Sequence, residues 1–267
     1  MKNKIMLSLI IGMVGGAGLA VLTSPTAFWA GWLAYSLLLA LSSLVLFFGW
    51  RKAGAGRALG WMLLTAFLLR LAAGVALQLL LPVAGYDEEV QKAGYVFFDA
   101  YQRDNQAWEL AAGDQPLTAA FRGEGFISDQ YGGLLALSAG AYRLLSPDLH
   151  RPTLILLLTA LFGSLSVLFT VLAVRLRWAK GAALTAGWIM ALYPEALLLG
   201  ASQMREPFLL AGFAAAFWGV LNWQERRRLS VLTMLLSLLG MALISWRMGL
   251  VIAGMLVVWF GLDVLAE

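Results

Sequence analysis

Residues 79–92 read LLLPVAGYDEEVQK. An apolar run ends at Pro82, Gly85 follows, and then come three adjacent carboxylates, Asp87, Glu88 and Glu89. Oily sequence that gives way so abruptly to charge marks a helix leaving a bilayer, because ionised groups are costly in hydrocarbon and cheap at its edge. Gly85 permits the sharp exit. The carboxylates open a polar segment, residues 83–150, set inside an otherwise apolar chain. It carries Asp87, Glu88, Glu89, Asp99, Asp104, Glu109, Asp114, Glu124, Asp129 and Asp148, out of 15 acids in all, opposed by Lys92, Arg103, Arg122 and Arg143.

Composition agrees. The chain is 61% hydrophobic and 13% charged, with mean hydropathy +0.80; a soluble domain is about 45–50% apolar and about 25% charged. The apolar runs lack the alternation of a barrel, so the fold class is all-α, a polytopic helical membrane protein. Cysteine is absent, which excludes disulfides, thiolate metal sites and a cysteine nucleophile. No basic patch interleaved with aromatics points to nucleic acid as a partner.

A span needs about 20 apolar residues, and eight are expected: 5–23, 27–49, 59–82, 152–174, 181–199, 207–223, 230–246 and 248–264. The first also has some character of a signal peptide, with a cleavage point near Ala27. The short stretch 131–146, YGGLLALSAGAYRLLS, decides orientation. If it does not cross, Lys2, Lys4, Arg51, Lys52, Arg57, Arg175, Arg177, Lys180, Arg226, Arg227 and Arg228 share one side, which the positive-inside rule makes cytoplasmic. It is therefore expected to be an amphipathic helix on the outer face. The loop 83–150, the turn 200–206 and the turn at Trp246-Arg247 are then extracytoplasmic, with the N-terminus cytoplasmic and the chain in a plasma (inner) membrane.

Several residues in these polar elements suit chemistry. Residues 87–112 read as one helix whose first-turn acids favour the helix dipole; alternatively Asp87, with Glu88 beside it, is a general base acting at the membrane surface. Asp129 reads as an N-cap or as an acid that binds substrate. Asp148 and His150 read as solvated turn residues. Tyr193-Pro194-Glu195 ends a span, and Arg205 and Glu206 follow in an external turn, either paired with each other or holding a phosphate. Arg247 is an external cation, either snorkelling or binding a lipid phosphate. Arg70 lies inside a span and is expected to snorkel or pair within the bundle. No zinc-binding helix motif is present, and Asp87, Glu88 and Glu206 are groups that could hold a divalent ion. The glycines at 12–18, 54–60 and 132–133 read as helix packing or turns.

The order of these features resembles the integral-membrane glycosyltransferases of GT-C fold, relatives of the protein O-mannosyltransferases and the lipid A aminoarabinose transferases. It rests on Gly85-Tyr86-Asp87-Glu88 after a span, the loop with two juxtamembrane helices, the basic turn Arg175-Leu-Arg-Trp-Ala-Lys180-Gly181, the segment Ala-Leu-Tyr193-Pro194-Glu195, and the polar turn Gln203-Met204-Arg205-Glu206. It covers about residues 59–264. Two domains follow from it: extra N-terminal helices in 1–50, and a GT-C-like module in 51–267 with the loop 83–150. The resemblance implies transfer of a sugar from a polyprenyl-phosphate carrier to a glycan, lipid or protein acceptor on the outer side, with inversion and without a cofactor. It implies Asp87, with Glu88, as base, and Asp129, Arg205, Glu206 and Arg247 as substrate-binding residues. Such enzymes carry several more spans, so this chain corresponds to a half or a short form of one. A non-catalytic scaffold with the same fold, and a transporter or flippase of lipid-linked material, are the competing readings.

Overall fold

The computed structural model describes residues 2–54, 56–122 and 131–266, and among them every regular element is a helix. Helices α1 (Lys2–Thr23) and α2 (Phe28–Lys52) form a hairpin, and α3 (Arg57–Ala84) leads into the acidic segment. That segment folds as α4 (Glu89–Lys92), α5 (Phe98–Ala112), a 3-10 turn (Leu117–Phe121) and α6 (Gly133–Leu145). Helices α7 (Thr153–Arg177), α8 (Lys180–Leu192), α9 (Pro194–Gly200), α10 (Glu206–Leu221), α11 (Arg227–Ile244) and α12 (Trp246–Ala266) follow.

Each of the eight expected spans falls on a helix or, for 181–199, on the α8–α9 pair. Among the described residues, five helices are long and apolar enough to cross a membrane, and the α8–α9 pair, bent by 51°, makes a sixth if counted as one span. Helices α10 and α12 are apolar but shorter over their described apolar lengths.

Helix α7 is central: 72% of its most apolar stretch is buried, and α2, α3, α8 and α10 pack around it. Apolar area gives little drive for association between helices already in lipid, so close backbone approach matters instead. Gly12 and Gly16 supply it between α1 and α2, where an added methyl would collide with Ser36 and Ala40. Gly18, grouped with them in the sequence, faces open space.

Contacts between connections define two ends of the bundle. At one end Arg151 donates to the Ala27 carbonyl (3.2 Å), Thr153 donates to Gln78 (2.8 Å), and Gly133 abuts the Leu243 carbonyl too closely for any side chain. At the other end Arg175 donates to the Ala53 carbonyl (2.9 Å). The basic tips of α2, α3, α7, α8 and α11 all lie at that second end, and the acidic segment lies at the first.

Two expected helices are broken. Residues 87–112 divide into α4 and α5 because Gly94 adopts φ +85°, where the chain passes so close to the Gln78 carbonyl that a Cβ would collide with it. The span 181–199 divides at Tyr193 because Pro194 has no N–H for the Met190 carbonyl. Arg70 fills that gap. Its guanidinium, 1% exposed, donates to the carbonyls of Met190 (3.1 Å) and Ala191 (3.2 Å) and to its own helix at Ala66 (3.0 Å). Gly163 and Gly200 leave room for it, since a methyl on either would meet the arginine stem. A cation at the C-terminal end of α8 also suits that helix's dipole.

Of the two expected behaviours, snorkelling and pairing within the bundle, the residue therefore shows the second, with backbone carbonyls as its partners. Arg70→Met strands two carbonyls and is expected to cost about 2–4 kcal/mol. In a Pro194→Ala background the new N–H satisfies Met190, so the same change should cost about 1–2 kcal/mol less. Thermal unfolding of the four proteins of this double-mutant cycle, in detergent, reads the difference.

Candidate functional site

The acidic segment begins where Gly85 caps α3, its N–H bonded to the Leu81 carbonyl at 2.8 Å. The Tyr86 N–H is taken by the Gln91 side chain at 2.8 Å, so the chain turns back on itself at once. Asp87 points into water, 88% exposed, and pairs with Lys92. Glu88 is the exposed N-cap residue of α4, and Glu89 accepts from the Tyr101 hydroxyl at 2.8 Å.

Helix α5 buries Ala100, Arg103, Asp104, Ala107 and Leu110, a stripe at helical spacing that holds an acid and a base among small apolar residues. Asp104 is 2% exposed. Its Oδ2 accepts from the Tyr95 hydroxyl at 2.5 Å and lies 2.9 Å from His150 Nε2, and its Oδ1 accepts from the Tyr142 hydroxyl. Burial first, and the charge of Asp104 second, push both phenols well above the usual tyrosine range, so they hold their protons and donate. His150 stacks on Trp108 (5.3 Å between centroids, 15° between planes) and meets Tyr142 edge-on (5.0 Å, 87°). The histidine expected in a solvated turn is thus held on three sides.

Arg103, on the same face of α5, donates to the Gln203 carbonyl at 2.6 Å. Gln203 is buried and takes φ +55°, the one positive φ outside glycine among the described residues. Its side chain lies beside the Tyr95 hydroxyl, and the two line a small cavity of about 20 Å³, room for about one water. The acidic segment is thereby clamped onto the polar turn that follows α9.

That turn continues to Arg205 and Glu206. The pair lies 3.9 Å apart, and the Arg205 guanidinium stacks 5.3 Å over the Tyr131 ring. Phe208 and Gly133, three and two residues along the chain from Arg205 and Tyr131, line an apolar groove of about 540 Å³ between α6, α7, α10 and α11. Arg247 lies over its neighbour Trp246 at 5.8 Å.

Helix α6 is the amphipathic helix expected at 131–146. Leu134, Leu135, Ser138, Ala139 and Tyr142 face inward, while Leu144 is 81% exposed. Arg143 reaches back to cap α5, donating to the carbonyls of Leu110, Ala111 (3.3 Å), Gly113 (3.1 Å) and Gln115 (2.8 Å). Arg151, fully buried, clasps Asp148 through two bonds (2.6 and 2.8 Å) and also holds Ser146 (2.5 Å) and the Ala27 carbonyl. Those bonds hold the Asp148 carboxyl below the usual carboxylate range.

Of the residues singled out in the sequence, Arg205 and Glu206, neighbours in the chain, pair with each other. No hydrogen bond or ion pair among the described residues joins Asp87 or Glu88 to Arg205, Glu206 or Arg247. Asp129 lies outside the described residues. Among the described residues no three acids or histidines gather to hold a metal ion. Asp104, Tyr95, Tyr142 and Arg103 were not singled out, and Gln203 only as the first residue of the polar turn. The available signal was Arg103-Asp104 interrupting the small-residue stripe Ala100, Ala107 and Leu110. No protein-family model matches the chain, and no curated protein or solved structure is significantly similar to it.

Replacing Asp104 by Ala strands three donors and is expected to cost roughly 2–4 kcal/mol, against about 1–2 for Tyr142→Phe, which removes one; thermal unfolding in detergent ranks them. The Arg151–Asp148 contribution behaves as a lowered carboxylate must. It is fully present above the ordinary carboxylate range and disappears as pH falls through the lowered value. An acid titration of Tm should therefore lose a low-pH step in Asp148→Asn.

Proposed function

We propose that the protein is an integral-membrane glycosyltransferase of GT-C type, moving a sugar from a polyprenyl-phosphate carrier to an acceptor on the extracytoplasmic side. The observation that carries this is the clamp of Arg103 on Gln203: a long acidic segment folds over the polar turn that follows a broken span, and that turn carries a guanidinium, Arg205, three residues before Phe208 of an apolar groove. An interfacial transferase needs those parts together. The isoprenoid lies in the groove, Arg205 neutralises the phosphate as its bond to the sugar breaks, and a base in the acidic segment takes the acceptor's proton. Glu206 and Arg247 are the further substrate-binding residues the family resemblance nominates, and Asp87 and Glu88 are the carboxylates it nominates as base.

In this arrangement the chain crosses a plasma membrane eight times, counting α8–α9 as one passage and α10 and α12 as short ones. The basic end is cytoplasmic and the acidic segment external. A transporter would place its polar groups at midplane; here the buried midspan charge is Arg70, already occupied by backbone.

The test is transfer by the purified protein in liposomes, supplied with polyprenyl-phosphate-linked sugars and a mixture of glycan, lipid and peptide acceptors. Product with inverted anomeric configuration is expected. Arg205→Ala should raise KM for the donor at least about tenfold, the loss of roughly 1.4 kcal/mol of phosphate binding. A folded wild-type protein silent with every donor would favour the non-catalytic scaffold.

A further inference from the structure

We propose that His150, oriented by Asp104, is the general base of the site; the assignment rests on the transferase function proposed above and replaces Asp87 in that role. His150 is the one imidazole in the chain. Its ring has a fixed place, stacked on Trp108, edged by Tyr142 and bonded through Nε2 to Asp104.

The protonation pattern follows from the network. Tyr95 donates to Oδ2 of Asp104, and Tyr142 donates to Oδ1. Phenols that keep their protons leave Asp104 purely an acceptor, so Nε2 carries the hydrogen it shares with that carboxylate. The lone pair is then on Nδ1. That atom has no hydrogen-bond partner among the described residues, and the His150 side chain is 23% exposed at the loop end of the bundle. A buried carboxylate behind one imidazole nitrogen and an open lone pair on the other is the arrangement that makes histidine a directed base.

Asp87 has none of this support. It is 88% exposed, and its partner is the end of the Lys92 side chain, itself 61% exposed. His150 is also tied to the phosphate side of the site: Asp104 leads through Tyr95 to Gln203, and Arg103 holds the Gln203 carbonyl, two residues before Arg205.

The step balances. The acceptor oxygen bonds to the anomeric carbon as the bond from that carbon to the phosphate oxygen breaks, and the bonding pair leaves on the phosphate. The hydroxyl proton passes to Nδ1. The imidazolium so formed is held against Asp104 and later returns its proton to water. The groups that touch the ring are Asp104 and Trp108 from α5 and Tyr142 from α6, with Tyr95 behind Asp104; Asp148 and Arg151, on its own turn, are paired with each other.

Two experiments test this separately. The first needs no activity. With one histidine and no cysteine in the chain, diethyl pyrocarbonate acylation of the folded protein, followed by mass spectrometry across pH, reads the openness and basicity of His150 directly. The wild type should react, and Asp104→Asn should shift half-reaction to lower pH because the charge supporting the imidazolium is gone. An unreactive His150, or no shift in Asp104→Asn, overturns the dyad.

The second uses the transfer assay. Acylation of the wild type should abolish transfer and hydroxylamine should restore it, which avoids reliance on a variant that folds poorly. His150→Gln should lower kcat at least about 100-fold with little change in KM, and should remove the acidic limb of the pH profile. Transfer that survives His150→Gln but is lost in Asp87→Asn returns the base to Asp87 and overturns the assignment while the transferase function stands. No transfer by the folded wild type from any donor overturns both, whatever the acylation shows.

Discussion

Asp104 is a carboxylate taken out of water, and a buried carboxylate must be given donors or it costs several kcal/mol. Its donors come from three separate places in the chain: the turn before α5 (Tyr95), the inward face of α6 (Tyr142) and the turn before α7 (His150). Satisfying one side chain therefore ties the turn before α5, α5 itself, α6 and the turn before α7 to one another. The neighbouring Arg103 then fixes that layer to the bundle through Gln203. The same bonds that make the layer stable also set the orientation of the one imidazole and place it within a short chain of contacts from Arg205.

Arginine has a consistent part in this fold. Arg70, Arg103, Arg143 and Arg151 all donate to backbone carbonyls, and each does so where a helix breaks or ends: at Pro194, at the left-handed Gln203, at the end of α5 and at the α1–α2 turn. Backbone groups away from water must find partners, and irregular backbone inside or beside a membrane is tolerated only when something supplies them. A planar guanidinium with several donors does this better than any other side chain. Breaks in the apolar helices are thus affordable, and the breaks are what create the polar turns of the candidate site.

Much of this was legible in the sequence. Hydropathy located the helices to within a few residues, the clustering of Arg51, Lys52, Arg57, Arg175 and Lys180 put one set of connections at one end, and YGGLLALSAGAYRLLS showed its single buried face. What was not legible depended on contacts far apart along the chain. Pro194 announced a kink, but nothing local said that Arg70 completes it. Asp104 carried the same composition signal as the nine other acids of its segment, and only the packing of Tyr95 and Tyr142 separates it from them. His150 looked like a surface residue because its partners, Asp104 and Trp108, lie more than 40 positions upstream. Gly94 split an expected helix because of a close approach to Gln78 that no spacing rule contains.

The central claim is geographical: the acidic segment and the turns around Arg205 and Arg247 occupy one face of a membrane, and the basic connections occupy the other. The absence of cysteine makes it directly measurable, since single cysteines can be placed without background. In intact cells, an impermeant maleimide should label Asp114→Cys, Met204→Cys and Trp246→Cys, and should reach Gly54→Cys, Lys180→Cys and Glu225→Cys only after the membrane is opened. Labelling of Asp114→Cys and Met204→Cys from opposite sides would contradict the account.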